Sequence, residues 1–391
     1  MTYLDHAAST PMRASAREAW LDATTVSGNA SSGHASGRHV RRILEDAREQ
    51  IAEDLTVDPD RVVFTSGGTE SDNVAVTGGY AARNQADPRR RVIVLSRIEH
   101  KAVIEPAEHL QGQGAELEWL DVDATGSVNP DQLRDILTRR SDEVALVAVM
   151  WANNEVGAVQ PIAELAEICA EHDVPLHCDA VQALGNIAIE ADLPDTAAFT
   201  AHKVGGPVGI GLLLVDPKAT VEPLLRGGGQ ELGMRAGSSN VASAAGAAAA
   251  IHEAVTEQQQ HADRMAGLRD QLLRGIAQQA AGNRPFDYVV NSTEAGLPGL
   301  LSLSFPGCDG DALMMLLDDA GISVSTGSAC NVGIPRPSYV LTAMGAEHTS
   351  STLRISLGWS SGPGDAAALL TALPAAVAAA AKASASAGVA R

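Results

Sequence analysis

Short apolar runs alternate with amphipathic stretches along the first two thirds of the chain. Strand-like apolar runs occupy residues 62–65, 92–95, 144–149, 175–178, 196–199 and 210–215. Helical spacing lies between them and is clearest at 38–55, where apolar side chains recur every three or four positions. Strands that alternate with helices in this way predict an α/β protein with a mostly parallel sheet, covered by helices on both faces.

The pattern changes after about residue 255. The predicted elements from there are a helix at 264–280, a strand at 300–305, a helix at 311–318, strands at 322–325 and 353–357, and an Ala-rich helix from 366. The runs at 300–305 and 353–357 alternate like half-exposed antiparallel strands, and the last helix is predicted to end in a low-complexity tail. We therefore predict a large domain at 13–254 and a smaller α+β domain built from 1–12 and 255–391.

Composition and charge narrow the class of protein. Of the 391 residues, 45% are hydrophobic and only 3% aromatic, so the core must be aliphatic. The formal net charge of −20 repels phosphate backbones and argues against direct binding of nucleic acid. The four cysteines form no C-x-x-C pair, so neither a disulfide framework nor a metal site is predicted. Because no apolar leader and no membrane span are predicted, we expect a soluble cytoplasmic protein.

Polar segments come at or just after the predicted strands. They are Glu99-His100, Asn153-Asn154-Glu155, Asp179 to Gln182 and Thr200 to Lys203. Ligands of parallel sheets bind beyond the carboxyl ends of the strands, so these side chains are predicted to converge on one edge. Ser66-Gly67-Gly68-Thr69 joins a strand to a helix, and its glycines, hydroxyls and helix start predict a site for an anion such as phosphate.

Lys203 lies in a Gly/Pro-rich turn between two apolar runs. Partial desolvation there disfavours the ammonium form and makes the amine a better nucleophile, as a Schiff-base lysine requires. Such a lysine, a phosphate site, a histidine for stacking and an acid against a ring nitrogen are together the needs of pyridoxal phosphate. Asp179 suits the acid, and Gln182 follows it on the same predicted face. These residues therefore predict a pyridoxal-phosphate site.

Seven segments, in order along the chain, carry a resemblance to a known family. They are Leu4 to Ala8, Gly68 to Asn73, Glu99 to Val103, Asn153 to Gly157, Asp179 to Gln182, His202-Lys203, and Ser325 to Cys330. They resemble the motifs of the cysteine desulfurases that serve iron–sulfur cluster assembly, in the class V aminotransferase group. The resemblance spans Tyr3 to Gly358. It implies the fold type I of pyridoxal-phosphate-dependent aminotransferases, a homodimer, and conversion of L-cysteine to L-alanine.

The resemblance also implies roles for the site residues. Lys203 would form the Schiff base, His100 would stack on the ring and move protons, and Asp179 would hold the pyridinium nitrogen. The other cofactor contacts would come from Gln182 and Asn154 at the phenolic oxygen, and from Gly68, Thr69, Thr200, His202 and, across the dimer, Ser238 at the phosphate. Arg354, with Asn154, would bind the substrate carboxylate, a task that suits a guanidinium.

Cys330 lies in a segment of small residues, glycine and prolines, a composition that argues against a buried structural cysteine. The resemblance implies that Cys330 takes the substrate sulfur as a persulfide and passes it to an acceptor protein, such as an iron–sulfur scaffold. A desulfurase dedicated to DNA or tRNA sulfur modification would use the same chemistry.

Other activities would use the same fold. A selenocysteine lyase stays possible on sequence alone, whereas Cys330 argues against a class V aminotransferase. A sulfur carrier without catalysis is disfavoured because Lys203, His100 and Asp179 are all present. The identity of the sulfur acceptor stays open.

Overall fold

A computed structural model of the chain describes residues 1–282, 285–327 and 337–389. A seven-stranded sheet is formed by β2 Val62–Thr65, β3 Val92–Ser96, β4 Glu116–Leu120, β5 Val144–Ala148, β6 Leu176–Asp179, β7 Thr196–Thr200 and β8 Gly211–Val215. Its order is β2-β8-β7-β6-β5-β3-β4. The five neighbouring strands β7, β6, β5, β3 and β4 pair in parallel. Strand β8 pairs antiparallel with both β7 and β2. The predicted mostly parallel α/β sheet is confirmed.

Helices cover both faces of this sheet. They are α1 Ala14–Thr24, α2 Ala35–Leu55, α3 Gly68–Asn73, α4 Gly79–Ala86, α5 Lys101–Gln111, α6 Pro130–Arg140, α7 Ile162–Glu171 and α8 Val241–Thr256. Because successive side chains of a strand point to opposite faces, Val92 and Val94 join the core formed with α1, α2 and α8. Ile93 and Leu95 join a separate core against α5. Burial on both faces explains why these strands read as continuous apolar runs.

Most of the remaining elements pack around another core. They are β1 Thr2–Tyr3, α9 Gln258–Ala280, β9 Val289–Val290, β10 Leu300–Ser304, α10 Gly310–Asp319, β11 Ile322–Ser323, α11 Tyr339–Ala343, β12 Thr352–Ser356 and α12 Pro363–Val389. Strands β12, β10 and β9 form an antiparallel sheet, and β1 pairs in parallel with β11. Leu4 is buried in this core beside Leu303 and Ile355, so the first residues of the chain pack with its last third. The domain limits given above stay a prediction.

One sequence prediction is wrong in this region. The strands at 300–305 and 353–357 were expected to be half exposed, but every residue of β10 and β12 is buried. Serines fill the polar positions of β10, as Ser304 does, whose Oγ donates to the carbonyl of His348 at 2.9 Å. The polar positions of β12 are Thr352, Arg354 and Ser356, and the guanidinium of Arg354 also has partners inside the fold. The predicted low-complexity tail is helical through Val389, because its alanines favour helix.

Helix α12 is long and apolar enough, over Pro363–Ser386, to cross a membrane by length and composition. One stripe of it is packed, however: Leu369, Leu373 and Val377 are buried in the same core as Leu272 of α9. The core helix of a soluble protein passes the same length and composition test. We therefore interpret α12 as a core helix.

Candidate active site

The carboxyl ends of the parallel strands open into a cavity of about 300 Å³. Its lining includes the predicted site residues Gly68, Thr69, His100, Asn154, Asp179, Gln182, Thr200, His202, Lys203 and Arg354. Among the described residues, the lining also includes Ala7, Ala8, Asp72, Met150, Val181 and Gly327. A cavity of this size suits a small molecule. The structure thus brings the predicted side chains together at the predicted edge of the sheet.

Lys203 ends the 3-10 turn that directly follows β7. Its side chain is half buried, and Nζ donates hydrogen bonds to the carbonyl oxygens of Ala7 and Ala8, the latter at 2.9 Å. Gly205 has a φ of +88°, and a Cβ at this position would lie 2.6 Å from Cγ of Arg13. Glycine therefore permits the tight turn that holds the lysine amine at the cavity wall.

Asp179 is the last residue of β6, and its carboxyl group is buried. Its Oδ1 accepts a hydrogen bond from the N–H of Val181 at 2.9 Å. Burial raises the pKa of Asp179 above its ordinary value, whereas the charges of His100 and Lys203 and the Val181 N–H act to lower it. A cationic group of a ligand placed beside Asp179 would favour the carboxylate form further.

His100 caps α5, and its Nδ1 accepts a hydrogen bond from the N–H of Ala102 at 3.1 Å. In the neutral form of the ring, this bond leaves the proton on Nε2. Behind it, Glu99 is fully buried and its Oε1 accepts bonds from Ser96 Oγ at 2.6 Å and the N–H of Met150 at 2.8 Å. Burial raises the pKa of Glu99 to about 8, so this carboxyl group is mostly neutral at pH 7.

The start of α3 forms one end of the cavity. A Cβ on Gly68 would lie 2.7 Å from Cγ2 of Val181, so a glycine is needed for the helix to approach this closely. Thr69 and Thr200 contribute hydroxyl groups to the same lining, and His202 contributes an imidazole. Burial lowers the pKa of His202 to about 4, so the ring is neutral at pH 7. Hydroxyls, backbone N–H groups and a neutral imidazole can all bind an anion by hydrogen bonds.

Arg354 projects from β12 and is only 3% exposed. Its Nη1 donates to the carbonyl oxygen of Asn154 at 2.9 Å, and its Nη2 donates to Oδ1 of Asp5 at 2.8 Å. Nε of Arg354 and Oδ1 of Asn154 are buried without a hydrogen-bond partner among the described residues. Because buried polar groups are normally paired, these two atoms beside the cavity indicate a ligand that offers both an acceptor and a donor.

Ser325 is held to Arg354 by the backbone. The N–H of Ser325 donates to the carbonyl of Arg354 at 3.2 Å, and the N–H of Arg354 donates back at 2.6 Å. Gly327, two residues further on, lines the cavity. The predicted sulfur acceptor Cys330 follows after three residues and lies outside the described residues.

Ser238 does not line the cavity, and its side chain is exposed. It belongs to the stretch between β8 and α8, which Glu231 anchors. The buried carboxylate of Glu231 accepts bonds from Arg48 Nη2 at 3.1 Å, from the N–H of Phe64 at 3.1 Å and from Ser239 Oγ at 2.8 Å. Within one protomer, Ser238 is therefore separate from the other predicted site residues.

Asp72 is a site residue that sequence reasoning missed. It lines the cavity and is 1% exposed. The available signal is its spacing, because Asp72 lies four residues after Gly68 and three after Thr69 and so faces the same side of the helix. Ligand atoms of Asp72, His100 and Asp179 lie within 4.8 Å of one another, an arrangement that could hold a cation.

The mostly parallel sheet, with a lysine, a buried aspartate and a helix start around one cavity, defines an enzyme of fold type I. The class-V aminotransferase family matches residues 2–369 of the chain. An IscS-like cysteine desulfurase of Mycobacterium tuberculosis (strain ATCC 25618 / H37Rv) is 46% identical, over 100% of this chain and 100% of that protein.

Solved structures give the same result. A structure named NifS-like protein covers 97% of this chain and 100% of its own, with 33% identity and a TM-score of 0.88. SspA in complex with cysteine covers 91% of this chain and 99% of its own, with 29% identity and a TM-score of 0.77. The chain therefore belongs to the class-V aminotransferase family, and within that family to the cysteine desulfurases.

Proposed function

We propose that the chain uses pyridoxal phosphate to convert L-cysteine to L-alanine, and that it takes the sulfur onto Cys330 as a persulfide. The observation that carries the proposal is the single cavity that gathers Lys203, Asp179, the start of α3 and Arg354. A lysine, an acid, an anion site and a guanidinium are what the cofactor and an amino-acid substrate together require. The membership of the cysteine desulfurases supports the same reaction.

The residues of the cavity fit the cofactor. Lys203 would hold its aldehyde carbon, and Asp179 would hold its ring nitrogen. The phosphate would be held at the start of α3 and the end of β7, by Gly68, Thr69, Thr200 and His202. Gln182 and Asn154 lie in the same lining, and their side-chain N–H groups would donate to the phenolic oxygen. Nε2 of Gln182 also donates to the carbonyl of Ala7 at 2.9 Å. When bound, pyridoxal phosphate supplies an electron sink for the substrate Cα.

The substrate would be oriented by its carboxylate. Nε of Arg354 has no hydrogen-bond partner among the described residues, so a carboxylate placed there would satisfy it and gain a charge-assisted bond. His100 lines the same cavity, and its imidazole would move protons to and from the substrate. A relative of known structure is named as a complex with cysteine, which supports this amino acid as the substrate.

Cys330 would act as the nucleophile for sulfur. Its thiolate would attack the sulfur of the bound cysteine, the Cβ–S bond of the substrate would break, and Cys330 would keep the sulfur as a persulfide. The electron pair left on the substrate would take up a proton, which gives L-alanine. Cys330 lies three residues after Gly327, which lines the cavity, and three residues span at most about 10 Å.

The proposal also includes a homodimer in the cytoplasm. Leu224, Leu225 and Leu232 are 41%, 48% and 56% exposed, on the same stretch of chain as Ser238. A second subunit would bury these leucines, and Ser238 would reach the phosphate of the other subunit's cofactor. The persulfide would pass to an acceptor protein such as an iron–sulfur scaffold, and direct contact with nucleic acid is disfavoured by the net charge of −20.

Two measurements test the proposal. The purified protein is incubated with pyridoxal phosphate, reduced with borohydride and mapped by mass spectrometry, and we expect the pyridoxyl group on Lys203. Alanine, sulfide and selenide are then measured with L-cysteine and with L-selenocysteine as substrates. A pyridoxyl group on another lysine would contradict the site. Alanine formed only from selenocysteine would replace the desulfurase by a selenocysteine lyase, and an amino-group transfer without sulfur release would replace it by an aminotransferase.

A further inference from the structure

Asp5 is a charged residue behind the proposed substrate site, and the proposed function gives it no role. Its Oδ1 accepts a hydrogen bond from Nη2 of the buried Arg354 at 2.8 Å, and its own side chain is 22% exposed. Asp5 does not line the cavity. Ion pairs between exposed side chains contribute little, but a charge-assisted bond between mostly buried groups is short and directional. Asp5 is therefore a defined partner of the guanidinium.

The backbone around Asp5 is itself held in place. The hydroxyl of Tyr3 lies 3.1 Å from the carbonyl oxygen of Asp5 and 2.8 Å from that of Ser9, so it bridges the two ends of the turn at 5–9. A parallel bridge joins Asp5 to Ser356, which lies two residues beyond Arg354 on β12. These contacts give the Asp5 carboxylate a fixed position from which it can hold the guanidinium.

Two anchors determine the direction of the guanidinium of Arg354. Nη1 donates to the carbonyl of Asn154 at 2.9 Å, and Nη2 donates to Asp5. The N–H groups of a guanidinium lie in one plane at fixed angles, so holding both Nη atoms also fixes the direction of the Nε–H. The Nε atom is buried and has no hydrogen-bond partner among the described residues. The carbonyl of Asn154 alone would leave the plane free to turn about a single bond.

The same turn contacts the proposed Schiff-base lysine. Nζ of Lys203 donates to the carbonyl oxygens of Ala7 and Ala8, two and three residues after Asp5. The carboxylate and the Cα of an amino acid are a fixed covalent distance apart, so the group that binds the carboxylate must be held in register with the lysine. One turn of the backbone contacts both.

We infer that Asp5 is a positioning residue for the substrate: by holding Nη2 of Arg354, it directs the Nε–H toward the substrate carboxylate. This inference rests on the proposed function, because it requires that Arg354 binds that carboxylate. The sign of the effect is informative. Asp5 has the same charge as the substrate carboxylate, so its direct electrostatic effect would weaken binding, and only a positioning effect makes binding tighter when Asp5 is present.

Steady-state kinetics of the full-length protein, loaded with pyridoxal phosphate, test the inference. Asp5→Ala should raise KM for L-cysteine at least about fivefold with little change in kcat, within the range of couplings between side chains in contact. Asp5→Asn keeps an oxygen acceptor in place and should recover most of the wild-type KM. In the Arg354→Lys background, Asp5→Ala should change KM by less than about twofold, because its effect passes through the guanidinium.

Tyr3→Phe provides the matched control, because it loosens the same turn without removing the carboxylate. It should leave KM within about twofold of the wild type. An unchanged or lower KM in Asp5→Ala, an equal rise in Tyr3→Phe, or additive effects of Asp5→Ala and Arg354→Lys would overturn the inference. If Asp5→Ala does not fold, Asp5→Ser replaces it, because a serine side chain is too short to reach Nη2.

A second measurement does not depend on catalysis. The Nε–H signal of Arg354 is recorded by NMR in protein labelled with ¹⁵N-arginine, with and without pyridoxal phosphate, and is assigned by its loss in Arg354→Lys. We expect the signal to shift and to exchange faster with water in Asp5→Ala but not in Tyr3→Phe. The same signal in Asp5→Ala and the wild type would overturn the inference. If the wild type forms no alanine from L-cysteine, the proposed function fails, while this signal still reports whether Asp5 holds Arg354.

Discussion

Arg354 offers a quantitative test of the substrate site. Its Nη1 donates a hydrogen bond to the carbonyl of Asn154 and its Nη2 donates one to Asp5, while Nε has no hydrogen-bond partner among the described residues. In Arg354→Lys the positive charge stays, but a single ammonium cannot hold both flanking acceptors and still face the substrate in the same geometry. The substitution therefore removes one bond to the substrate carboxylate without removing the charge.

A hydrogen bond to a charged group contributes about 1.5–3 kcal/mol. At about 1.4 kcal/mol per factor of ten, its loss corresponds to a roughly 10- to 150-fold change in the apparent binding of L-cysteine. Because the carboxylate is bound in both the ground state and the transition state, we expect KM to rise by this factor while kcat changes much less. Alanine formation over a range of cysteine concentrations measures both constants.

Arg264 provides a matched control, because it also donates to two backbone carbonyls, those of Ser361 and Trp359, but does not line the cavity. Arg264→Lys should leave KM for cysteine within about twofold of the wild type. Cofactor affinity, followed by absorbance, should be similar in both variants. An unchanged KM in Arg354→Lys, or an equal rise in Arg264→Lys, would refute the assignment of the substrate carboxylate to Arg354.

Four further predictions follow from the site and its supports. Cys330→Ser should bind pyridoxal phosphate and L-cysteine but form no alanine, because an alcohol cannot accept sulfur. Lys203→Ala should lose the borohydride-trapped pyridoxyl group and reduce alanine formation by at least about 100-fold, as expected for a lost covalent catalyst. Glu231→Ala should lower the free energy of unfolding by about 3–5 kcal/mol, measured with urea, because it removes the buried carboxylate that pairs with the Arg48 guanidinium. Glu99→Gln should change the pH dependence of stability. Wild-type Glu99 keeps its proton to about pH 8 in the folded protein but loses it near pH 4.5 in the unfolded chain, so the free energy of unfolding falls by up to about 1.4 kcal/mol per pH unit as the pH rises between these values. Glutamine does not titrate, so the variant should not show this fall.

Controls separate each effect from general damage. Cys169→Ala should keep alanine formation, because Cys169 is buried in α7 and away from the cavity. Glu45→Ala removes the partner of Arg48 whose side chain is 46% exposed, and it should change the free energy of unfolding by less than about 1 kcal/mol. Wild-type alanine formation by Cys330→Ser, equal stability losses at Glu45 and Glu231, or the same urea midpoint trend with pH in Glu99→Gln and the wild type would each contradict the corresponding argument.

The sheet could be predicted from local patterns because its central strands are buried on both faces and read as uninterrupted apolar runs. β4 was missed because its sequence alternates Glu, Leu, Glu, Trp and Leu, and the strand lies at the sheet edge, with four of its five residues only partly buried. The strands β10 and β12 were predicted too exposed because a polar residue in a sequence does not reveal whether its side chain has a partner inside the fold.

The convergence of site residues could also be predicted, since the rule for parallel sheets places the ends of β6 and β7 at one edge. The side-chain partners of those residues could not be predicted from the sequence. Asp5 and Arg354 are 349 positions apart, and the pairing of Asp72 with His177 joins residues 105 positions apart. Both depend on tertiary packing, which the sequence pattern does not encode locally.

The backbone pairing of Ser325 with Arg354 has a consequence for sulfur delivery. Arg354 is proposed to bind the substrate carboxylate, and Ser325 precedes Cys330 by five residues. Two reciprocal backbone hydrogen bonds hold Arg354 and Ser325 together. Lys203 lies in the turn that follows β7, a strand of the seven-stranded sheet. A movement of β12 relative to the seven-stranded sheet would therefore carry the proposed substrate anchor and Ser325 together, because the two reciprocal hydrogen bonds join them.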